Sequence, residues 1–192
     1  GHRLGWFPRT APRGIDVAPG LLALAEAGFD VGLADDIRRA GSRPLTAAER
    51  EAWRAFLVAT SRLKPAGWEA AVAAEPAASL ADLFQESDRI IARPVTMRGS
   101  VKRITAVDPG ETLADGAAGS ARQLEVIVNT GGPGVAITNA AGERMEFGSR
   151  VPVTVVASEA AAGQVQEGTT VAIDGFAYRF WTYESGASVE QG

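Results

Sequence analysis

The chain has 192 residues, 46% of them apolar, enough for one ordinary domain or two small ones with buried cores and too apolar for disorder over most of its length. The net charge of −4 hides a split, with ten Lys/Arg against nine Asp/Glu in residues 1–78 and nine against fourteen in residues 79–192. An acidic second part argues against nucleic acid, which needs a basic groove to neutralise phosphates, and the lack of cysteine excludes disulfides, thiolate metal sites and a cysteine nucleophile.

Residues 1–16 read as an irregular basic arm, broken by Pro8, Pro12 and Gly14, with Trp6 and Phe7 pinning it to a neighbouring surface. The lone histidine, His2, sits in this arm, so neither a serine–histidine–acid triad nor a histidine metal site is expected. Pro19 and Gly28 frame a short helix through Leu21, Leu22, Leu24 and Ala25, and a second short helix over residues 34–40 ends at Gly41. Thr46 with Glu49 three residues on forms a capping box. Beyond it Trp53, Phe56, Leu57, Thr60 and Leu63 share one helical face, expected to be buried between the two parts. Pro65 and Gly67 are expected to stop this helix, and residues 68–74 to add another turn or two. The boundary between a helical part (1–78) and a β-part (79–192) is placed at residues 75–78. Ser79 then caps a short helix through Leu80, Leu83 and Phe84, with Asp82 at its third position.

The β-part opens on a long alternating strand, with Val95, Met97, Gly99 and Val101 inward and a phase change at Arg103–Ile104 that predicts a bulge. Residues 108–120 read as a hairpin loop. Leu124, Val126 and Val128 share a face of a second strand, and residues 131–134 turn into a third through Val135 and Ile137. Val151, Val153 and Val155 make a fourth, where Pro152 implies a free edge nearby. After a loop over residues 159–168, a closing strand is expected over residues 170–183. Gly99 and Gly175 sit mid-strand in the first and last runs, where glycine marks a bend or barrel corner. The expected fold class is therefore α+β: an N-terminal α-helical region followed by a five-stranded barrel of the oligonucleotide/oligosaccharide-binding (OB) type.

Three stretches carry a resemblance: Pro44 to Trp53 in the helical part, Leu83-Phe84 followed by Arg93-Pro-Val-Thr-Met-Arg-Gly-Ser-Val-Lys-Arg103, and Asp174-Gly-Phe-Ala-Tyr-Arg-Phe-Trp-Thr-Tyr183. Over residues 17–183 the sequence resembles a group of uncharacterised exported bacterial proteins with a helical N-terminal region and an OB-like domain. That resemblance implies the fold and a bacterial origin, but no activity. Residues 108–120 depart from the group in lacking an aromatic-rich run. The chain starts with glycine rather than methionine, which either removal of a secretion signal or simple trimming of a domain explains; signal removal is the favoured expectation, with a periplasmic or cell-envelope location. No apolar run approaches the roughly 18 residues of a membrane helix.

The candidate binding face lies on the first and last strands. Phe176, Tyr178 and Phe180 are expected on one side of the last strand, with Arg179, Trp181 and Tyr183 on the other. They form either a stacking platform with a cation, as OB-folds use for single strands or sugars, or rows that fill the barrel and pack on the helices. The packing alternative is favoured because a two-part protein must bury such a surface. Arg98, Lys102 and Arg103 either extend this face or form a solvated strand face paired with local carboxylates. The acidic pairs Asp35-Asp36 and Glu143/Glu146 fit helix-dipole and turn positions better than metal or acid–base work. Residues 131–134 lack the Lys-Ser/Thr and following helix of a phosphate loop. The expected function is a non-catalytic interaction or scaffolding module with a protein partner, no cofactor and no metal. A ligand-binding module for oligosaccharide or single-stranded nucleic acid is the alternative.

Overall fold

The computed structural model describes residues 17–40, 46–47, 49–85, 90–108, 121–130, 135–138 and 144–180. The basic arm with Trp6 and Phe7, the turn at 131–134, Glu143, Trp181 and Tyr183 therefore lie outside the described residues. The helical part runs α1 (Pro19–Glu26), α2 (Leu33–Ala40), α3 (Arg50–Arg62), α4 (Pro65–Ala74) and α5 (Leu80–Gln85). Pro19 stands in the first turn of α1, where its missing N–H costs nothing. The same logic corrects the expectation at residue 65. Pro65 stops α3 but also opens α4, with Gly67 inside the new helix.

On α3 the buried side chains are Ala52, Phe56, Leu57 and Ala59, while Trp53 and Leu63 are half-buried. The helix is rotated slightly from the predicted face, so its small alanines approach the core. Ser79 caps α5 as expected: its Oγ accepts from the Asp82 N–H (3.3 Å) while the Asp82 carboxylate accepts from the Ser79 N–H (2.8 Å). The Ser79 hydroxyl (2.7 Å) and then the Ser79 N–H donate to the Asp82 carboxylate and hold it below its usual value, so the cap's contribution is present above the ordinary carboxylate pKa and fades as pH falls.

Six strands follow among the described residues: β1 (Pro94–Val107), β2 (Ala121–Asn129), β3 (Val135–Thr138), β4 (Arg144–Phe147), β5 (Arg150–Ser158) and β6 (Thr170–Phe176). A helical turn, α6 (Glu159–Ala162), occupies part of the predicted loop over residues 159–168. Ser158 caps this turn, and a two-pronged Arg122–Glu159 ion pair ties it to β2.

β1, β2, β5 and β6 form a curled antiparallel half-barrel in the order β5-β2-β1-β6. The expected third strand does not join it. Among the described residues β3 pairs instead with β4, a strand the sequence did not announce, in a separate two-stranded ribbon. The sheet thus has four strands rather than five. Pro152 lies on the edge strand β5, as its missing donor requires.

The β1 bulge falls between Val101 and Arg103, one residue before the predicted phase change. Val101, Leu124, Val126, Val128 and Val151 face inward and share one hydrophobic cluster with Leu21, Leu24, Ile37 and Phe56 of the helices. The residues near the expected boundary are stitched to the sheet as well: Ala78 donates to the Pro94 carbonyl (2.8 Å) and accepts from the Thr96 N–H (3.3 Å).

The two mid-strand glycines differ in kind. A methyl group on Gly99 would lie 2.4 Å from Val126 Cγ1 and 2.7 Å from the Ile127 carbonyl oxygen, so β2 passes too close for any side chain. A methyl on Gly175 would meet nothing within 4 Å, so packing does not require glycine there. Gly99→Ala should therefore lower stability by about 2 kcal/mol through overpacking. Gly175→Ala should be neutral or stabilise by about 0.5 kcal/mol through a less flexible unfolded chain. Urea unfolding of the two variants side by side checks the contrast; equal midpoints would contradict it.

Candidate functional site

The last strand ends earlier than its alternation suggests. Ala177 still exchanges hydrogen bonds with the residues just ahead of β1, donating to the Arg93 carbonyl (2.9 Å) and accepting from the Ala92 N–H (2.8 Å). Residues 178–180 then leave the ladder, so the two-row alternation expected for them does not hold. The physical reason is a buried carboxylate. Glu49, only 3% exposed, sits just ahead of α3 and reaches both Tyr178 and Arg179. The Tyr178 hydroxyl donates to Glu49 Oε1 (3.1 Å) and Arg179 Nη2 donates to Oε2 (2.9 Å). Arg179 Nε lies 2.7 Å from Oε1, with the side chains 4% and 2% exposed. Neighbours that would point to opposite faces of a strand thus converge on one carboxylate.

This was the residue that sequence reasoning missed. Half of the predicted capping box forms, since the Glu49 N–H donates to Thr46 Oγ1 (3.3 Å). The glutamate side chain, however, turns to the sheet side instead of back to the cap. A signal existed in the spacing: Glu49 stands four residues before Trp53 and seven before Phe56, on the apolar stripe itself.

The described aromatic residues of the candidate face, Phe176, Tyr178 and Phe180, are half-buried and each packs on a helix. Phe176 meets Trp68 of α4 edge-on at 5.3 Å, Tyr178 meets Phe56 of α3 edge-on at 5.2 Å, and Phe180 stacks on Phe84 of α5 at 4.8 Å. Each ring pairs with a different helix, so the row works as a three-point clasp between the helical part and the sheet. Burial and the neighbouring Glu49 charge push the Tyr178 phenol far above its ordinary value of 10.0. A group whose folded pKa is raised contributes stability below its unfolded pKa and loses it as pH climbs past it. Phenolate absorbance from Tyr178, isolated by difference from Tyr178→Phe, should therefore appear only together with alkaline unfolding. Ionisation near pH 10 with the far-ultraviolet circular dichroism intact would overturn this assignment.

The other candidate residues are apart from this cluster. Arg98, Lys102 and Arg103 lie on the exposed face of β1, with Lys102 at the bulge. Arg103 approaches Glu125 at 3.9 Å, while Arg98 and Lys102 have no ion-pair partner among the described residues. Of the acidic pairs, Asp35 and Asp36 are engaged by Arg38 and Arg39, each at 2.6 Å. Among the described residues no group of three or more His, Cys, Asp or Glu side chains could hold a metal ion, and no helix is long and apolar enough to cross a membrane.

The fold and the cluster define an α+β protein in which helices clasp a half-barrel sheet through a buried ion pair. No protein-family model, no curated protein and no solved structure matches the chain.

Proposed function

We propose that the protein is a non-catalytic interaction module, an OB-like barrel in which helices cover part of the sheet and the rest docks an extended acidic segment of a partner protein. The observation that carries this reading is the β6 edge beside a cationic strip. β6 ends the sheet, and over Thr170, Ala172 and Asp174 it is exposed with no strand on its outer side among the described residues. An open edge offers backbone donors and acceptors to an added strand. Arg98 pairs with Ala172 across the β1–β6 ladder, and Lys102 lies further along the same exposed face. Two cations beside an open edge favour an acidic strand over a basic one. The motif resemblance supports a cell-envelope location in a bacterium for such a module.

The alternative, an oligosaccharide or single-strand binder, would need the aromatic row as a platform. Phe176, Tyr178 and Phe180 spend their ring faces and edges on Trp68, Phe56 and Phe84 instead. The test is nuclear magnetic resonance titration of the labelled protein with alternating Glu/Val and Lys/Val peptides, and with single-stranded DNA at about 150 mM salt. The acidic peptide should bind saturably and shift amides of β6. Arg98→Glu with Lys102→Glu should abolish that binding, and the DNA should show no saturable binding below about 100 μM. Shifts that map away from β6, or equal binding of both peptides, would overturn the docking mode. Micromolar DNA binding that weakens steeply with salt would replace it with the alternative.

A further inference from the structure

The open stretch of β6 is short and bounded. Ala177 at one end and Thr169 at the other turn their carbonyls to the β1 side, accepting from the Ala92 N–H (2.8 Å) and the Val101 N–H (2.9 Å). Backbone groups alternate in direction along a strand, so Thr170, Ala172 and Asp174 point theirs to the open side. Beyond Asp174, Phe176 lies edge-on against Trp68 of α4 at 5.3 Å, and before Thr170 the chain turns through Gly168 at a φ of 85°. An added strand therefore pairs over residues 170–174. The three outward side chains there are all exposed, and they set an order of charge. β1 places Thr96 beside Asp174, Arg98 beside Ala172 and Ser100 beside Thr170, with Lys102 further on in the same direction. The Asp174 carboxylate accepts from the Thr96 hydroxyl, which holds its charge at one end of the stretch. Ala172 stops at Cβ, so a side chain facing it from an added strand passes over it towards the Arg98 guanidinium. The gap is two strand spacings, about 10 Å, which a glutamate and an arginine span together. Glu167, past the turn, spends its carboxylate on the Ile104 N–H (3.1 Å).

We infer, resting on the docking reading above, that the partner's acidic segment adds to β6 antiparallel and carries a basic residue opposite Asp174, followed at alternate positions by acids opposite Ala172 and Thr170. From N- to C-terminus the segment reads Lys-x-Glu-x-Glu. Antiparallel addition continues the pattern of every pair in this sheet and is the slightly more stable ladder. In it the residue facing Asp174 comes first along the partner. Opposite charges facing each other across strands stabilise the pairing and like charges weaken it, so a uniformly acidic strand would set one glutamate against Asp174. The basic residue removes that repulsion, while the two acids meet Arg98 and Lys102.

Nuclear magnetic resonance titration of the labelled full chain with two capped peptides, Lys-Val-Glu-Val-Glu and Glu-Val-Glu-Val-Lys, tests the order. The two have one composition and one net charge, so a difference between them reports position and direction. The first should bind about tenfold more tightly, because two cross-strand pairs change from repulsive to attractive. Asp174→Lys, at an exposed position, should bring the two affinities within about twofold, since both ends of the stretch are then cationic. Arg98→Glu should weaken both peptides alike and leave their ratio unchanged, since each keeps a glutamate at its centre. Shifts at β6 with equal affinities for the two peptides would overturn the inference and leave the docking reading standing. Tighter binding of the second peptide would replace antiparallel with parallel addition, and a preference that survives Asp174→Lys would remove Asp174 as its cause. Absence of saturable binding by either peptide would defeat the docking reading itself.

Discussion

Glu49→Ala should destabilise the protein by about 3–5 kcal/mol, because it leaves the Arg179 guanidinium buried and without its carboxylate. That is a large share of the total stability of a domain, commonly about 5–15 kcal/mol. The loss is a desolvation effect, so it has a sharp control. Replacing both partners with apolar residues, Glu49→Met with Arg179→Met, should return stability to within about 1 kcal/mol of the parent, since neither charge then needs matching. Tyr178→Phe on the parent background should cost only about 1 kcal/mol, the value of one hydrogen bond. Guanidinium unfolding midpoints at constant m-value report all three. A Glu49→Ala loss below about 1 kcal/mol, or a double variant no better than the single, would show that the pair is not the clasp described.

The second large effect is expected at Gly20. This glycine lies in the first turn of α1, and a methyl group on it would sit 1.7 Å from the Ala92 carbonyl oxygen and 3.1 Å from the Phe176 ring. The obstacle is backbone, and it is fixed. Ala92 is fully buried, its N–H is tied to the Ala177 carbonyl (2.8 Å), and its φ of 60° already lies in the left-handed region. Gly20→Ala must push α1 away from the sheet and should cost about 3 kcal/mol, at the upper end for overpacking. For a chain of this length that lowers the melting temperature by roughly 10 °C. Ala92→Gly should act in the opposite direction, raising stability by about 1 kcal/mol by removing the left-handed strain. It should not rescue Gly20→Ala, because the carbonyl oxygen remains in place. A Gly20→Ala protein with an unchanged melting temperature would contradict the close approach of α1 to Ala92.

What could be read from the residues alone was local. Pro19 and the leucines behind it place α1, Ser79 and Asp82 form their reciprocal cap, and Leu124, Val126 and Val128 turn one face of β2 inward. Each of these depends on neighbours within a few residues, where helical and strand periods and cap geometry act directly. Pairing partners were another matter. Nothing in Val135 and Ile137 distinguishes a barrel strand from one arm of a separate ribbon, because register and neighbour are chosen by the free energy of the assembled sheet.

The same holds for the candidate face. Phe176, Tyr178 and Phe180 have the composition of a platform, and only the arrival of Trp68, Phe56 and Phe84 from three helices makes them a clasp. Glu49 is the sharpest case. Its position beside Thr46 satisfies a local capping rule, yet its carboxylate is taken by Arg179, 130 residues away in the chain. A buried guanidinium without a carboxylate costs several kcal/mol, whereas the missing half of a capping box costs about one, so the tertiary demand wins.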